Sequence, residues 1–176
     1  MLCLVLGGTA SGKSEFAEEL AVKLDKREKI YIATMLAFDD ECLKKIERHQ
    51  KMRKEKGFIT VESPLDLHNI KSNLKGTAML ECMSNLLANE MYRTDIILDD
   101  VVLHILNGIK YANDYFENLI IVSNNVFGSQ IEYDQSTEEY IKKFGLINSQ
   151  IASEADIVVE VVCGIPIFHK GEGLIR

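Results

Sequence analysis

Short apolar runs alternate with amphipathic stretches along the chain, and this alternation predicts its secondary structure. Continuous apolar runs that stop at glycine or polar residues are typical of strands buried on both faces of a parallel sheet. These runs predict strands at residues 1–6, 29–34, 77–82, 118–123 and 156–163, the last of which is expected to close the sheet. A shorter extended piece is predicted at residues 58–62.

Apolar residues at helical spacing fill most of the segments between these strands. Residues 13–25, for example, carry Phe16, Leu20 and Leu24 on one stripe. The same spacing predicts helices at residues 65–74, 85–93, 96–111 and 138–155, and one that Asp39 or Asp40 caps and that runs to about residue 56. Pro166 is expected in a turn. Strands that alternate with helices predict an α/β fold, in which helices cover both faces of a mostly parallel central sheet.

Composition narrows the class of protein. The chain has 176 residues, which suits a single domain over residues 1–176, and 47% of them are hydrophobic, enough for a real core. Asp and Glu (27) outnumber Lys and Arg (20), so the net charge of −7 argues against a general nucleic-acid or membrane-surface binder. No apolar run reaches the ~20 residues of a membrane span, and we expect a cytoplasmic protein with reduced thiols.

One glycine-rich segment carries specific chemistry. Residues 7–14, with the sequence GGTASGKS, match the pattern G-x-x-x-x-G-K-[ST] between a predicted buried strand and a predicted helix. Glycines let successive backbone N–H groups face phosphate oxygens, and the helix N-terminus adds positive potential. Lys13 is expected to reach the β- and γ-phosphates, and the Ser14 hydroxyl to ligate Mg²⁺. An ordinary strand–helix turn is the alternative. The pattern predicts a nucleoside triphosphate site on a P-loop NTPase-like (RecA-like) three-layer fold.

A P-loop site needs a further acid to hold its metal ion, at the end of a neighbouring strand. Glu81 follows the apolar residues Ala78, Met79 and Leu80, and so stands in that position. Glutamate is rare in such burial, which favours the metal role over a surface carboxylate at a strand end. Glu81 is therefore predicted to be part of the magnesium site.

A basic segment at residues 44–56 contrasts with the acidic remainder of the chain. Helical spacing places Lys45, His49 and Arg53 on one stripe, which suits the binding of a polyphosphate. Nearby cations keep a histidine neutral and nucleophilic. A solvated charged helix face with an incidental histidine fits the same residues, and spacing alone leaves both interpretations open. His68, His104 and His169 have no acid or cysteine partner at a recognisable spacing in the sequence.

Several motifs occur together in one order along nearly the whole chain. After GGTASGKSEFAEELA come YIAT at residues 31–34, the spaced pattern D-D-E-x-x-x-x-I-x-x-H-x-x-x-R at 39–53, and TVESP around residue 62. LEC-x-x-NLL at residues 80–87, VSN at 122–124 and CGIPI from residue 163 complete the series. This combination resembles the bifunctional adenosylcobinamide kinase / adenosylcobinamide-phosphate guanylyltransferase family.

The resemblance implies an enzyme of cobalamin biosynthesis. Such enzymes phosphorylate the aminopropanol hydroxyl of adenosylcobinamide with GTP or ATP. They then transfer GMP from GTP to that phosphate through a guanylyl–histidine intermediate, releasing pyrophosphate and giving adenosylcobinamide-GDP. The family histidine matches His49, and family members form homotrimers with active sites near the subunit boundaries.

The same resemblance implies the site residues. Lys13 joins His49 as a catalytic residue, Ser14 and Glu81 serve Mg²⁺, and Glu62 helps to bind guanine or ribose. The positions implied in nucleotide binding are Gly7, Gly8, Thr9, Ala10, Ser11, Gly12, Lys13, Ser14, Ala33, Thr34, Met35, Gln50, Lys51, Met52, Arg53, Glu62 and Glu81.

Two other functions fit the sequence. The family pattern weakens between residues 125 and 148, where only Gly145 and Asn148 keep the polar pattern of one family helix. The alternatives are therefore a P-loop small-molecule kinase without guanylyl transfer, and a nucleotide-binding regulatory protein that has lost catalysis.

Overall fold

A seven-stranded sheet forms the centre of the molecule in a computed structural model, which describes residues 1–36, 54–125 and 133–175. Along the sheet the strands run in the order β3-β2-β4-β5-β1-β6-β7. In chain order they are β1 (Leu2–Gly7), β2 (Lys29–Ala33), β3 (Phe58–Glu62), β4 (Thr77–Leu80), β5 (Asn118–Asn124), β6 (Ile157–Val162) and β7 (Ile165–Lys170). Neighbouring strands are parallel except for β6 and β7, which are antiparallel.

Helices cover both faces of the sheet. Those of the described ranges are α1 (Lys13–Leu24), α2 (Met83–Tyr92), α3 (Val101–Tyr115) and α4 (Gln135–Glu154), with short 3₁₀ turns at Leu67–Asn69 and Glu172–Ile175. Helix α1 packs on one face, against Cys3 and Val5, while α2, α3 and α4 pack on the other, against Leu2 and Leu4. Side chains alternate between the two faces along a strand, so β1 is apolar throughout because both of its faces are buried. The mostly parallel, three-layer α/β fold is confirmed.

Three predicted elements differ from the structure. Residues 65–74 form only a 3₁₀ turn at Leu67–Asn69 instead of a helix. Helix α3 begins at Val101, because the Asp100 carboxylate caps it by accepting hydrogen bonds from the N–H groups of Val102 and Leu103. The sheet does not close at β6, since the antiparallel β7 follows and contains Pro166 opposite Val161.

The strand order places a crevice beside β1. From β1 the chain continues to β2, towards the β3 edge of the sheet. From β5 it continues to β6, towards the β7 edge, so the two connections run in opposite directions beside β1. Ligands of open α/β sheets bind outside the carboxyl ends of the strands at such a point. No helix of the described ranges is both long and apolar enough to cross a bilayer.

Candidate active site

The segment between β1 and α1, residues 7–14, is named here the phosphate loop. Its backbone takes left-handed conformations at Ala10 (φ 57°) and Gly12 (φ 90°). Gly7 ends β1 where a Cβ atom would lie 2.4 Å from the Ser11 Oγ and 2.8 Å from the Val161 carbonyl oxygen. The loop can therefore fold tightly only with glycine at position 7, and glycine suits position 12 because left-handed φ strains other residues.

The loop leads directly into helix α1, whose N-cap is Gly12. The first N–H groups of a helix have no partner within the helix, and they attract anions. Lys13 bends back along the loop, and its Nζ donates a hydrogen bond to the Gly8 carbonyl at 3.1 Å. Ser14 is exposed in the first turn of α1, and both Lys13 and Ser14 line the cavity at the carboxyl ends of the strands. This arrangement fits a polyphosphate.

The turn between β6 and β7 packs against the phosphate loop. The Gly164 N–H donates a hydrogen bond to the Ser11 carbonyl oxygen at 2.8 Å. A Cβ atom on Gly12 would lie 3.3 Å from the Gly164 Cα atom. The backbone of this turn therefore helps to hold the phosphate loop in place. The sequence pattern did not predict the hairpin to which the turn belongs.

Glu81 lies beside the phosphate loop at the end of β4. Its N–H donates to the Ile32 carbonyl oxygen at 3.0 Å, and its Oε2 accepts a hydrogen bond from the Thr34 N–H at 3.1 Å. Glu81 and Ser14 line the same cavity. A carboxylate and a hydroxyl are oxygen ligands of the kind that Mg²⁺ takes alongside phosphates and water, so these residues fit a magnesium ion.

The cavity has a volume of about 510 Å³. Besides Lys13, Ser14, Met35 and Glu81, its lining includes Glu18, Tyr31, Glu55, Lys56, Cys82, Asn85, Val122 and Asn124. Sequence reasoning assigned no site role to Asn85 or Asn124, although both stand in the quoted motifs NLL and VSN. Their positions could have indicated a role, because both residues follow predicted strands at the edge of the sheet where the site forms.

The Asn124 amide is held in place at the end of β5, directly opposite Gly7 of β1. Its Nδ2 donates a hydrogen bond to the Ser84 Oγ at 2.7 Å. Asn85 comes from the first turn of α2, which begins just after Glu81. The cavity thus brings together polar groups from β4, β5 and α2 around the phosphate loop.

The remaining predicted nucleotide contacts in the described ranges lie at the ends of β2 and β3. Thr34 is buried, and its Oγ1 donates to the Cys82 carbonyl oxygen at 3.2 Å, while Met35 lines the cavity. Ala33 is buried and pairs with Glu62 of β3. Glu62 lines a separate cavity of about 400 Å³ at that edge of the sheet.

The predicted catalytic histidine and its neighbours lie outside the described residues. They are His49, Gln50, Lys51, Met52 and Arg53. The described chain resumes at Lys54, and Lys56 forms an ion pair of 2.5 Å with Glu18 of α1 at the cavity. The end of the basic segment therefore borders the same cavity as the phosphate loop.

The fold and the phosphate loop define the class as a nucleotide-binding P-loop protein. Residues 3–168 match the family described as CobU, cobinamide kinase / cobinamide phosphate guanyltransferase. The chain belongs to this family, which is a family of transferases.

Curated relatives match over almost their full length. The chain is 29% identical over 179 residues to the bifunctional adenosylcobalamin biosynthesis protein CobP of Pseudomonas aeruginosa, covering 97% of this chain and 98% of that one. It is 30% identical over 184 residues to the bifunctional adenosylcobalamin biosynthesis protein CobU of Escherichia coli, covering 97% and 100%. Both names support the resemblance inferred from the motifs.

A solved structure agrees on the fold alone. The flagellar accessory protein FlaH from Methanocaldococcus jannaschii aligns with a TM-score of 0.52 over 96% of this chain and 77% of that chain. The sequence identity is 13%, so this likeness describes the architecture and not the reaction.

Proposed function

We propose that the protein catalyses two successive steps of cobalamin biosynthesis. It phosphorylates the aminopropanol hydroxyl of adenosylcobinamide with GTP or ATP, and it then transfers GMP from GTP to that phosphate, giving adenosylcobinamide-GDP and pyrophosphate. The observation that carries the proposal is the phosphate loop, which opens onto the same cavity as Glu81 in a chain that matches the family over residues 3–168.

The phosphate loop is proposed to bind the triphosphate in both steps. Its backbone N–H groups and the N-terminus of α1 would face the phosphate oxygens, with Lys13 leaving the Gly8 carbonyl to contact the β- and γ-phosphates. Ser14 and Glu81 would hold Mg²⁺, which supplies positive charge against the triphosphate when it is bound. The nucleotide would also contact Ala33, Thr34, Met35 and Glu62, and residues 50–53.

His49 is the proposed nucleophile of the guanylyl transfer. Its imidazole would attack the α-phosphorus of GTP, forming a P–N bond as the bond to pyrophosphate breaks. The phosphate of adenosylcobinamide phosphate would then displace the imidazole from that phosphorus, forming the P–O–P bond of the product. Splitting the transfer into two displacements lets a neutral imidazole attack the triphosphate first, and the cationic site then offsets the charge of the approaching phosphate in the second displacement.

The position of Lys56 supports this role for His49. Lys56 lines the cavity and pairs with Glu18, and it follows His49 by seven residues. The cations of the basic segment would contribute to binding the triphosphate.

The assembly and setting are proposed from the family resemblance. One domain over residues 1–176 would form a homotrimer in the cytoplasm, with active sites near the subunit boundaries. The substrates would be small molecules, namely adenosylcobinamide, its phosphate and the nucleotide.

Covalent labelling tests the guanylyl transfer. The protein is incubated with GTP labelled at the α-phosphate and Mg²⁺, denatured, and assayed for bound label. The wild-type chain is expected to carry acid-labile label and His49→Ala to carry none. His169→Ala, which removes an exposed histidine that does not line the cavity, is expected to label normally. Full labelling of His49→Ala would contradict the assignment.

The kinase step is measured on the same proteins with adenosylcobinamide. Lys13→Ala is expected to lose on the order of 100- to 1,000-fold in kcat/KM, because its charge stabilises the transferring phosphoryl group. Phosphorylation without any labelled protein would support a small-molecule kinase. Nucleotide binding with neither activity would support a regulatory protein.

A further inference from the structure

A second group of functional side chains lies away from the phosphate loop, where the segment after β3 meets α2 and α3. We name it the Asp66 cluster, and it consists of Asp66, His68, Glu90, Arg93, Asp95 and His104. A carboxylate oxygen of Asp66 and one ring nitrogen each of His68 and His104 lie within 4.8 Å of one another. None of these residues lines the cavity of the phosphate loop. The cluster therefore lies outside that cavity, although Asp66 lines the second cavity together with Glu62.

Contacts within the cluster already bring the donor atoms together. The His104 Nε2 lies 3.1 Å from the Asp66 Oδ1 and 3.5 Å from the Glu90 Oε1. The His68 and His104 rings meet edge to face, with centroids 5.2 Å apart. Ligand atoms around a tetrahedral zinc ion are about 3.3 Å apart, so an ion would draw the exposed His68 ring closer to the other two ligands.

Charge in the cluster is unbalanced. Arg93 donates from Nη1 and Nη2 to the two carboxylate oxygens of Asp66, at 2.8 and 2.9 Å, and it also pairs with Glu90 and Asp95. Three carboxylates thus share one guanidinium. If both imidazoles are neutral, the cluster has a net charge of −2, which one divalent cation would neutralise.

The buried members hold the others in place. The side chain of Glu90 is 1% exposed, and its Oε1 accepts a hydrogen bond from the Asp66 N–H at 2.6 Å. Arg93 is 5% exposed and donates to both carboxylate oxygens of Asp66 in a two-pronged contact. Such outer partners orient metal-ligating carboxylates, and metal sites depend on them.

We propose that Asp66, His68 and His104 bind one divalent transition-metal ion of the zinc type. Two imidazoles and a carboxylate suit zinc and cobalt, whereas magnesium and calcium prefer oxygen ligands alone. The ion would join the segment after β3 to helix α3, and Glu90 lies near enough to His104 to contribute a further oxygen. Its role would be structural, because it would hold two elements together and none of its three ligands lines the cavity of the phosphate loop.

Cobalt titration of the full chain, without nucleotide, tests this site. Co²⁺ is added to metal-free protein and its visible absorption is followed, since the spectrum reports the number and kind of ligands. One Co²⁺ per chain is expected to bind with nitrogen and oxygen ligands. Replacing the exposed His68 by alanine should abolish that spectrum without unfolding the protein, and His104→Gln should do the same.

Matched variants distinguish this site from other metal binders. His49→Ala and His169→Ala remove the other two histidines of the chain, and both are expected to bind Co²⁺ like the wild type. Lys13→Ala should also bind normally, so failure of the proposed reaction would not affect this result. A spectrum unchanged in His68→Ala, or one with sulfur-to-cobalt charge-transfer bands, would overturn the proposal.

Thermal unfolding with Zn²⁺ gives an independent measurement. A ligand that binds only the folded state raises Tm, by about 5–10 °C at a hundredfold excess over its dissociation constant for a chain of this size. That rise is expected in the wild type and in His169→Ala, and is expected to disappear in His68→Ala. An equal rise in His68→Ala would count against the site.

Discussion

The phosphate loop and the Asp66 cluster use different means to prepare for a charged partner. The phosphate loop relies on backbone geometry, with left-handed φ angles at Ala10 and Gly12 and a hairpin turn pressed against it. The Asp66 cluster relies on side chains, with one guanidinium shared by three carboxylates. One region offers N–H dipoles to an anion, and the other offers excess negative charge to a cation.

This difference determines what each region tolerates. Backbone dipoles keep their strength as pH changes, but the loop fails if a side chain blocks its path. A buried ionic network accommodates small backbone shifts, but it becomes costly when one partner is removed, because a charge is left without compensation. Each region should therefore respond to a perturbation that leaves the other unaffected.

The largest effect is expected from Arg93→Met in the Asp66 cluster. The variant keeps an apolar stem but leaves Glu90, with a side chain 1% exposed, without its guanidinium. Loss of one partner of a buried ion pair costs about 3–5 kcal/mol, which urea unfolding of the metal-free protein would measure. Lys110→Met is the control, since its partner Asp114 is exposed and its loss should cost under about 1 kcal/mol. Equal losses in the two variants would contradict the comparison.

A smaller effect on stability, with a specific effect on binding, is expected from Gly12→Ala. The left-handed backbone costs alanine about 1–2 kcal/mol, and its Cβ atom would press on the Gly164 Cα atom at 3.3 Å. Nucleotide affinity should fall at least about tenfold, equivalent to 1.4 kcal/mol, in a fluorescent-nucleotide titration.

Gly173→Ala is the matched control, because a Cβ atom there would meet nothing within 4 Å. It should keep the wild-type affinity. Unimpaired binding by Gly12→Ala would show that the phosphate loop does not depend on its backbone path.

The smallest effect on stability is expected when the pH is lowered. Hydrogen bonds from Arg93 lower the pKa of Asp66 below its usual range and the pKa of Asp95 to about 2. A carboxylate with a folded pKa below its unfolded pKa adds stability at higher pH, and that stability is lost as pH falls through the folded value. Between about pH 5 and pH 2 the wild type should therefore lose more stability than Arg93→Met in urea titrations with a chelator present. Parallel losses in the two proteins would contradict this assignment.

The central strands were readily predicted because both of their faces are buried. Leu2–Leu6 of β1 and Leu119–Val122 of β5 are continuously apolar, and the predicted strands match the observed bounds to within a residue. The phosphate loop was predictable for a different reason, since its geometry restricts the residue types at Gly7 and Gly12. Patterns that follow from a strong local constraint could be read from the sequence.

Elements that depend on distant contacts could not be read in this way. Strand β7 contains Pro166, but it lies at the sheet edge, where a missing N–H is tolerated. In the segment predicted as a helix at 65–74, Asp66 takes a left-handed backbone (φ 53°), and its N–H bonds to Glu90 of α2. Tertiary hydrogen bonding thus overrode the local helical spacing.

The two regions also differ in how far their chemistry could be predicted. The phosphate loop is continuous in sequence, and Glu81 was found from its place after a strand. Asn124 needed the strand order to bring it beside Gly7. His104 showed no acid at a recognisable spacing, yet the fold places it 3.1 Å from Asp66, which precedes it by 38 residues.

The hydrogen bond from Gly164 to Ser11 joins residues that are synthesised far apart in time. The loop leaves the ribosome well before the hairpin that fixes it, because Gly164 follows Ser11 by 153 residues. Strand β6 must likewise pair with β1 before Val161 can pack over Gly7. A nascent chain therefore completes the support of its phosphate loop only after the hairpin of β6 and β7 has been made.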